Sequence, residues 1–140
     1  MAAVIDANLL VALVTSDPRR ALVAAQFKAW DEAKEPLHAP SLILYEVANA
    51  LTGLLAAELI ADADLEEVWR AAVDLPIALH QLVDGPGAVR MAARLGRRSA
   101  YDAAYIALAT ALGAELWTLD GPLARNASGS GLPVRLLRAS

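Results

Sequence analysis

The chain has 140 residues, 57% of them hydrophobic and much of that alanine, with no cysteine and a formal net charge of −4. This length predicts one domain with a real core, residues 1–140 together. The absence of cysteine excludes disulfides and thiolate metal sites and makes a reducing cytoplasm the expected compartment. The acidic balance argues against broad electrostatic attraction to nucleic acid.

Residues 3–6 read as a first strand, followed by a short helix over 9–14 that Ser16-Asp17-Pro18 breaks. The amino-terminal stretch carries Asp6 and lacks a basic lead and a cleavage site, so no signal peptide is expected. A helix follows over about 19–34, then a brief strand at 37–39, then a helix from about 40 to 57. Residues 42–61 are the most apolar stretch, yet Glu46, Asn49, Thr52 and Glu58 make a membrane span untenable. Asp64 and Glu67 have the spacing of a capping box for a helix reaching Val73, which Pro76 stops. A third strand is expected over 77–82, a turn at Gly85-Pro86-Gly87, and a helix ending near Gly96. Ser99 would cap the helix in SAYDAAYIALATALG, and Gly113 would end it. Residues 115–119 and 134–137 complete the strands. Strands alternating with helices imply a mainly parallel sheet of about five strands in a three-layer α/β/α sandwich.

In such open sheets ligands bind beyond the carboxyl ends of the strands. Asp6 ends the first strand and Asp120 the fourth, Asp102 begins the intervening helix, and Glu46 lies on the helix after the second strand. Each acid also has a purely structural reading. Asp6 suits a helix start, Asp102 follows Ser99 at capping-box spacing, and Asp120 precedes Gly121-Pro122 as an ordinary turn. Glu46 shares a thin polar stripe with Asn49 or, on an apolar helix, needs a buried partner.

Together the four acids suggest chemistry. Carboxylates gathered at one edge repel and raise one another's pKa unless a cation lies between them. The two lysines, Lys28 and Lys34, both fall on an early helix. A hard divalent ion, Mg²⁺ or Mn²⁺, is the economical counter-charge and suits water attack on a phosphodiester. Asn8 and Thr118 stand two residues from Asp6 and Asp120, as holders of water or phosphate or as simple caps. Arg90, Arg94, Arg97 and Arg98 precede Asp102, either as a backbone-binding group or as a solvated helix face. Trp30, Trp69 and Trp117 are expected to pack rather than stack on bases.

At these residues the sequence resembles the PIN-domain ribonucleases, specifically the VapC-type toxins of toxin–antitoxin pairs. The resemblance is carried by VIDANLLVAL, PSLILYEVANAL, SAYDAAYIALATALGAELWTLDGPLA and the closing VRLL, in that order along the whole chain. It implies an Mg²⁺- or Mn²⁺-dependent endoribonuclease, a homodimer, and inhibition by a cognate antitoxin. It implies Asp6, Asp102 and Asp120 as metal ligands and Glu46 as the acid that orients water or metal. Asn8 stands where many relatives have serine or threonine. Among alternatives, a two-component receiver domain needs a late lysine, and none follows Lys34. A haloacid-dehalogenase-like phosphatase needs an aspartate where Asn8 stands. A catalytically inactive PIN-like module that binds RNA or protein is the remaining reading.

Overall fold

A computed structural model describes residues 2–96 and 100–139. Five strands form one sheet: β1 (Ala3–Ile5), β2 (Leu37–Pro40), β3 (Ile77–His80), β4 (Glu115–Thr118) and β5 (Val134–Leu136). Their order is β3-β2-β1-β4-β5, and every pairing is parallel. The helices are α1 (Ala7–Val14), α2 (Arg20–Glu32), α3 (Leu42–Ala56), α4 (Leu65–Val73), α5 (Gly85–Arg94), α6 (Tyr101–Leu112) and α7 (Gly121–Gly129).

The central strand explains the layering. All three residues of β1 are buried, because a middle strand of a parallel sheet has helices on both faces and no solvated side. One helical layer has α1 packed on α2, α3 and α4; in the other, α6 packs on α5 and on β1, β2 and β4. On α3 the inward positions are Ile43, Val47 and Leu51, a repeat of four that keeps one face against the core. On α6 they are Ala103, Tyr105, Ile106 and Ala109. Alanines there allow close approach to the sheet. Trp30 is only 3% exposed and meets Phe27 and Trp117 edge to face, at centroid separations of 5.2 and 5.5 Å. Trp69 packs partly buried against the core.

Strand order places the site. The chain moves outward from β1 to β2 and β3, then returns to the other side of β1 for β4 and β5. The order therefore reverses between β1 and β4, and adjacent connections diverge there to leave a crevice at the carboxyl ends.

Three local expectations are corrected. The Asp-Gly-Pro at 120–122 does not make a simple turn. Asp120 caps α7, whose first turn accepts Pro122 because its N–H would have no helical partner. Asp64 precedes α4 at the end of a short 3₁₀ turn, Asp62–Asp64, but its side chain makes no capping bond. The third strand stops at His80 rather than residue 82; Leu82 and Val83 are exposed and unpaired in the sheet. Ser99, the expected cap of α6, lies outside the described residues, and Ala100 at the cap position makes no side-chain capping bond.

Gly113 ends α6 as expected. It adopts a left-handed φ of 64° at the cap, and a Cβ built there would meet nothing within 4 Å. The cost of any side chain is therefore conformational rather than steric crowding. Gly113→Ala should lower stability by about 1–2 kcal/mol, measured by urea denaturation with an unchanged m-value.

Candidate active site

Asp6 follows β1 directly, at the crevice. Its backbone N–H bonds the carbonyl of Trp117 at 3.0 Å, so the ladder between β1 and β4 continues to this residue. Its side chain does two jobs. Oδ1 accepts the N–H of Ala7 at 2.7 Å and starts α1. Oδ2 accepts the hydroxyl of Thr118 at 2.7 Å and the amide of Asn8 at 3.2 Å.

Thr118 and Asn8 are a clamp rather than surface donors. Thr118 is fully buried. While donating to Asp6, its Oγ1 accepts from Asn8 Nδ2 at 3.1 Å and from the Asp120 N–H at 3.0 Å. Asn8 Oδ1 accepts the N–H of Leu119 at 3.1 Å. The end of β1, the start of α1 and the end of β4 are thus tied through two short polar side chains. A buried hydroxyl saturated in this way is rigid, so it fixes the Asp6 carboxylate.

Glu46 enters from the second turn of α3, half-buried, and its Oε1 accepts the phenol hydroxyl of Tyr105 on α6 at 2.5 Å. Tyr105, only 2% exposed, is the partner that a carboxylate on so apolar a helix requires. Burial, the bond to Glu46 and the charges of Glu46, Asp6 and Asp102 all push the tyrosine well above its ordinary pKa. Asp102 lies in the first turn of α6, three residues before Tyr105. Three acids, one just after β1 and the others on α3 and α6, therefore act on one phenol.

The acids also act on one another. Burial is the main cause that raises Asp6 from 3.8 to about 6, and the charges of Glu46 and Asp102 add to it. The Thr118 hydroxyl and the Ala7 N–H oppose the rise without cancelling it. Glu46 is raised by burial and by Asp102, against the lowering effect of Tyr105. Both neighbouring charges that raise Asp6, those of Glu46 and Asp102, are negative.

Asp120 occupies the rim. Its N–H belongs to the Thr118 cluster, while its Oδ1 accepts the N–H of Leu123 at 3.0 Å and caps α7. Its carboxylate sits where the dipole of that helix favours negative charge. Among the described residues, no group of three acids or histidines closes around one point as a ready-made metal cage.

Of the basic residues expected near Asp102, Arg90 and Arg94 are exposed on α5. Arg97 and Arg98 lie outside the described residues. Tyr105 was the residue missed from sequence. Its signal was indirect: the unpartnered acid of α3 and a tyrosine three places after Asp102.

The raised carboxylate makes a measurable statement about the metal-free protein. An acid whose folded pKa exceeds its unfolded value binds protons more tightly when folded, so its contribution to stability declines as pH rises between the two values. For Asp6 that window runs from 3.8 to about 6. The shift corresponds to about 3 kcal/mol at most, using 1.36 kcal/mol per pKa unit. In EDTA, stability should fall across this window in urea titrations, and Asp6→Asn should flatten the decline.

Comparison with known proteins identifies the family of the chain. Residues 3–128 match the PIN domain family. The chain is 32% identical over 123 residues to ribonuclease VapC12 of Mycobacterium tuberculosis, covering 88% of this chain and 90% of that protein. It is 36% identical over 129 residues to ribonuclease VapC3 of Pyrobaculum aerophilum, covering 89% and 93%. In fold it is similar to the crystal structure of PAE2754 from Pyrobaculum aerophilum, with a TM-score of 0.69, 23% identity and coverage of 90% of this chain and 79% of that one. It is also similar in fold to Mycobacterium tuberculosis VapC20, a sarcin–ricin loop cleaving toxin, with a TM-score of 0.61, 18% identity and coverage of 94% and 96%. The chain belongs to the PIN domain family, and ribonucleases of the VapC group are among its relatives.

Proposed function

We propose that this chain is a single-domain, metal-dependent endoribonuclease, the toxin of a toxin–antitoxin pair, which hydrolyses phosphodiester bonds of structured RNA. The observation that carries the chemistry is Asp6: a largely desolvated carboxylate at the crevice between β1 and β4, acted on by the negative charges of Glu46 and Asp102. The ribonuclease relatives support the substrate class. A cognate antitoxin, a homodimeric assembly and a cytoplasmic location belong to the same reading. Among the described residues no helix is long and apolar enough to cross a membrane.

The residues suit a hard divalent cation. The donors are all oxygens, and burial with like charges leaves Asp6 reluctant to ionise until positive charge arrives. Asp6, Asp102 and Asp120 would hold Mg²⁺ or Mn²⁺. When bound, the ion supplies Lewis-acid activation of a water and charge neutralisation at the phosphate.

The chain's own residues do the positioning. Thr118 and Asn8 hold Asp6 Oδ2 in place, while capping fixes Asp120. Tyr105 occupies Oε1 of Glu46 and leaves Oε2 to accept a proton from the attacking water. The raised pKa of Glu46 suits that role, since a base works best when its pKa approaches the working pH. Intact acids at all four positions favour this reading over an inactive binding module.

Purified protein should cut a hairpin RNA with Mg²⁺ or Mn²⁺ and stop on addition of EDTA. Asp102→Asn should reduce cleavage by at least about a hundredfold while the circular dichroism spectrum is retained. Cutting that persists without metal would sink the mechanism. Expression of the wild type without an antitoxin should arrest bacterial growth, and the Asp102→Asn variant should not.

Tyr105→Phe removes the bond that lowers the pKa of Glu46. Cleavage should fall about tenfold, and the acidic limb of the rate–pH profile should move to higher pH. An unchanged profile would assign the tyrosine to packing alone.

A further inference from the structure

We propose that Arg125, Arg135 and Arg138 form a track for the RNA backbone, running from the carboxylate pocket around the β5 edge of the sheet; this rests on the nuclease reading above. All three arginines are exposed and line one open concavity together with Ser128. On a chain with net charge −4, three of its arginines in one hollow reverse the local sign beside an acidic crevice.

The track begins at the site itself. Arg125 lies on α7, the helix that Asp120 caps. Its Nη1 is 3.0 Å from where a Cβ on Gly121 would stand, so its guanidinium lies over the first turn of that helix. The missing side chain at Gly121 leaves room for this close approach. Arg138 follows β5, next to Leu137, whose N–H bonds the carbonyl of Thr118 at 2.8 Å. That bond puts the residue after β5 beside the clamp that holds Asp6.

Arg135 is held for use. It pairs with Trp117 across β4 and β5, and its guanidinium stands 5.2 Å from the indole centroid. Glu115 Oε2 takes its Nε at 3.3 Å. The contacts fix the plane of the fork, and a single carboxylate leaves other N–H donors for a phosphate. Neither Arg125 nor Arg138 forms an ion pair with any of the described residues.

Phosphodiester RNA is the occupant favoured over an acidic protein. The hollow opens beside the residues where a phosphodiester would be cut, and planar arginine forks match phosphate oxygens. A substrate threaded past Asp120 would carry its neighbouring phosphates into this concavity. Local attraction of this kind also removes the need for a basic protein overall.

The test is fluorescence anisotropy with a labelled hairpin RNA in EDTA, so that binding is read without cleavage. The Arg125→Ala/Arg138→Ala double variant should weaken binding roughly tenfold or more at low salt. The slope of log affinity against log salt should fall by about 1–2, as expected for two lost phosphate contacts. The same charge removed from α5 by Arg90→Ala/Arg94→Ala should leave both quantities unchanged. Arg135 is kept out of the first test, since its loss would also free Glu115 and uncover Trp117.

Equal losses in the two double variants, loss confined to the α5 pair, or no loss at all would overturn the track. So would a loss seen with polyglutamate but not with RNA, which would assign the hollow to a protein partner. Arginine-dependent binding by a wild type that cuts no RNA would defeat the nuclease reading while leaving the track. A wild type that cuts, with undiminished binding in the Arg125/Arg138 variant, would defeat the track alone.

Discussion

The structure depends on negative charge held where water is scarce. Asp6 could be relieved by moving outward, but its backbone is paired to β4 and its side chain is bonded to Thr118, Asn8 and Ala7. The fold thus fixes the carboxylate in an unfavourable setting through several favourable local bonds. Protonation or a cation relieves the remaining cost, and only the second is useful in hydrolysis. One carboxylate therefore serves two local structures: Oδ1 starts a helix while Oδ2 belongs to the cluster that builds the pocket.

Three of the four acids are aligned by different devices. Asp6 is held by a threonine and an asparagine, Glu46 by a tyrosine on another helix, and Asp120 by the amide of the helix it caps. None of these bonds reaches across solvent. Because they link β1, β4, α3, α6 and α7, the pocket has elements from both halves of the sheet. The arginines around β5 extend that pocket with the opposite sign and distribute attraction to substrate along a path.

Much of this was legible in the sequence because periodicity and punctuation were plain. Gly113 marked the end of α6, and alternating strands and helices gave the parallel sheet. Two acids at strand ends suggested a common edge. Three features were less accessible. The helix α7 was hidden because Asp-Gly-Pro suits a turn as well as a helix start, and GPLARNASG has little apolar periodicity. The partner of Glu46 lies 59 residues away, so only tertiary packing identifies it. Asn8 and Thr118 were visible as polar residues near acids, but their inward bonding depends on the β1–β4 register, which pairs Ile5 with Trp117. No local pattern encodes that pairing.

The brevity of β1 has a further consequence. A strand of three fully buried residues delivers Asp6 to the crevice, with no exposed stretch between core and carboxylate to absorb a displacement. Repacking around Val4 or Ile5 is therefore transmitted almost directly to a carboxylate whose bonds span only a few ångströms. Turnover in such an architecture acts as a sensitive gauge of interior order, and it can be extinguished by small misfits that leave the chain folded.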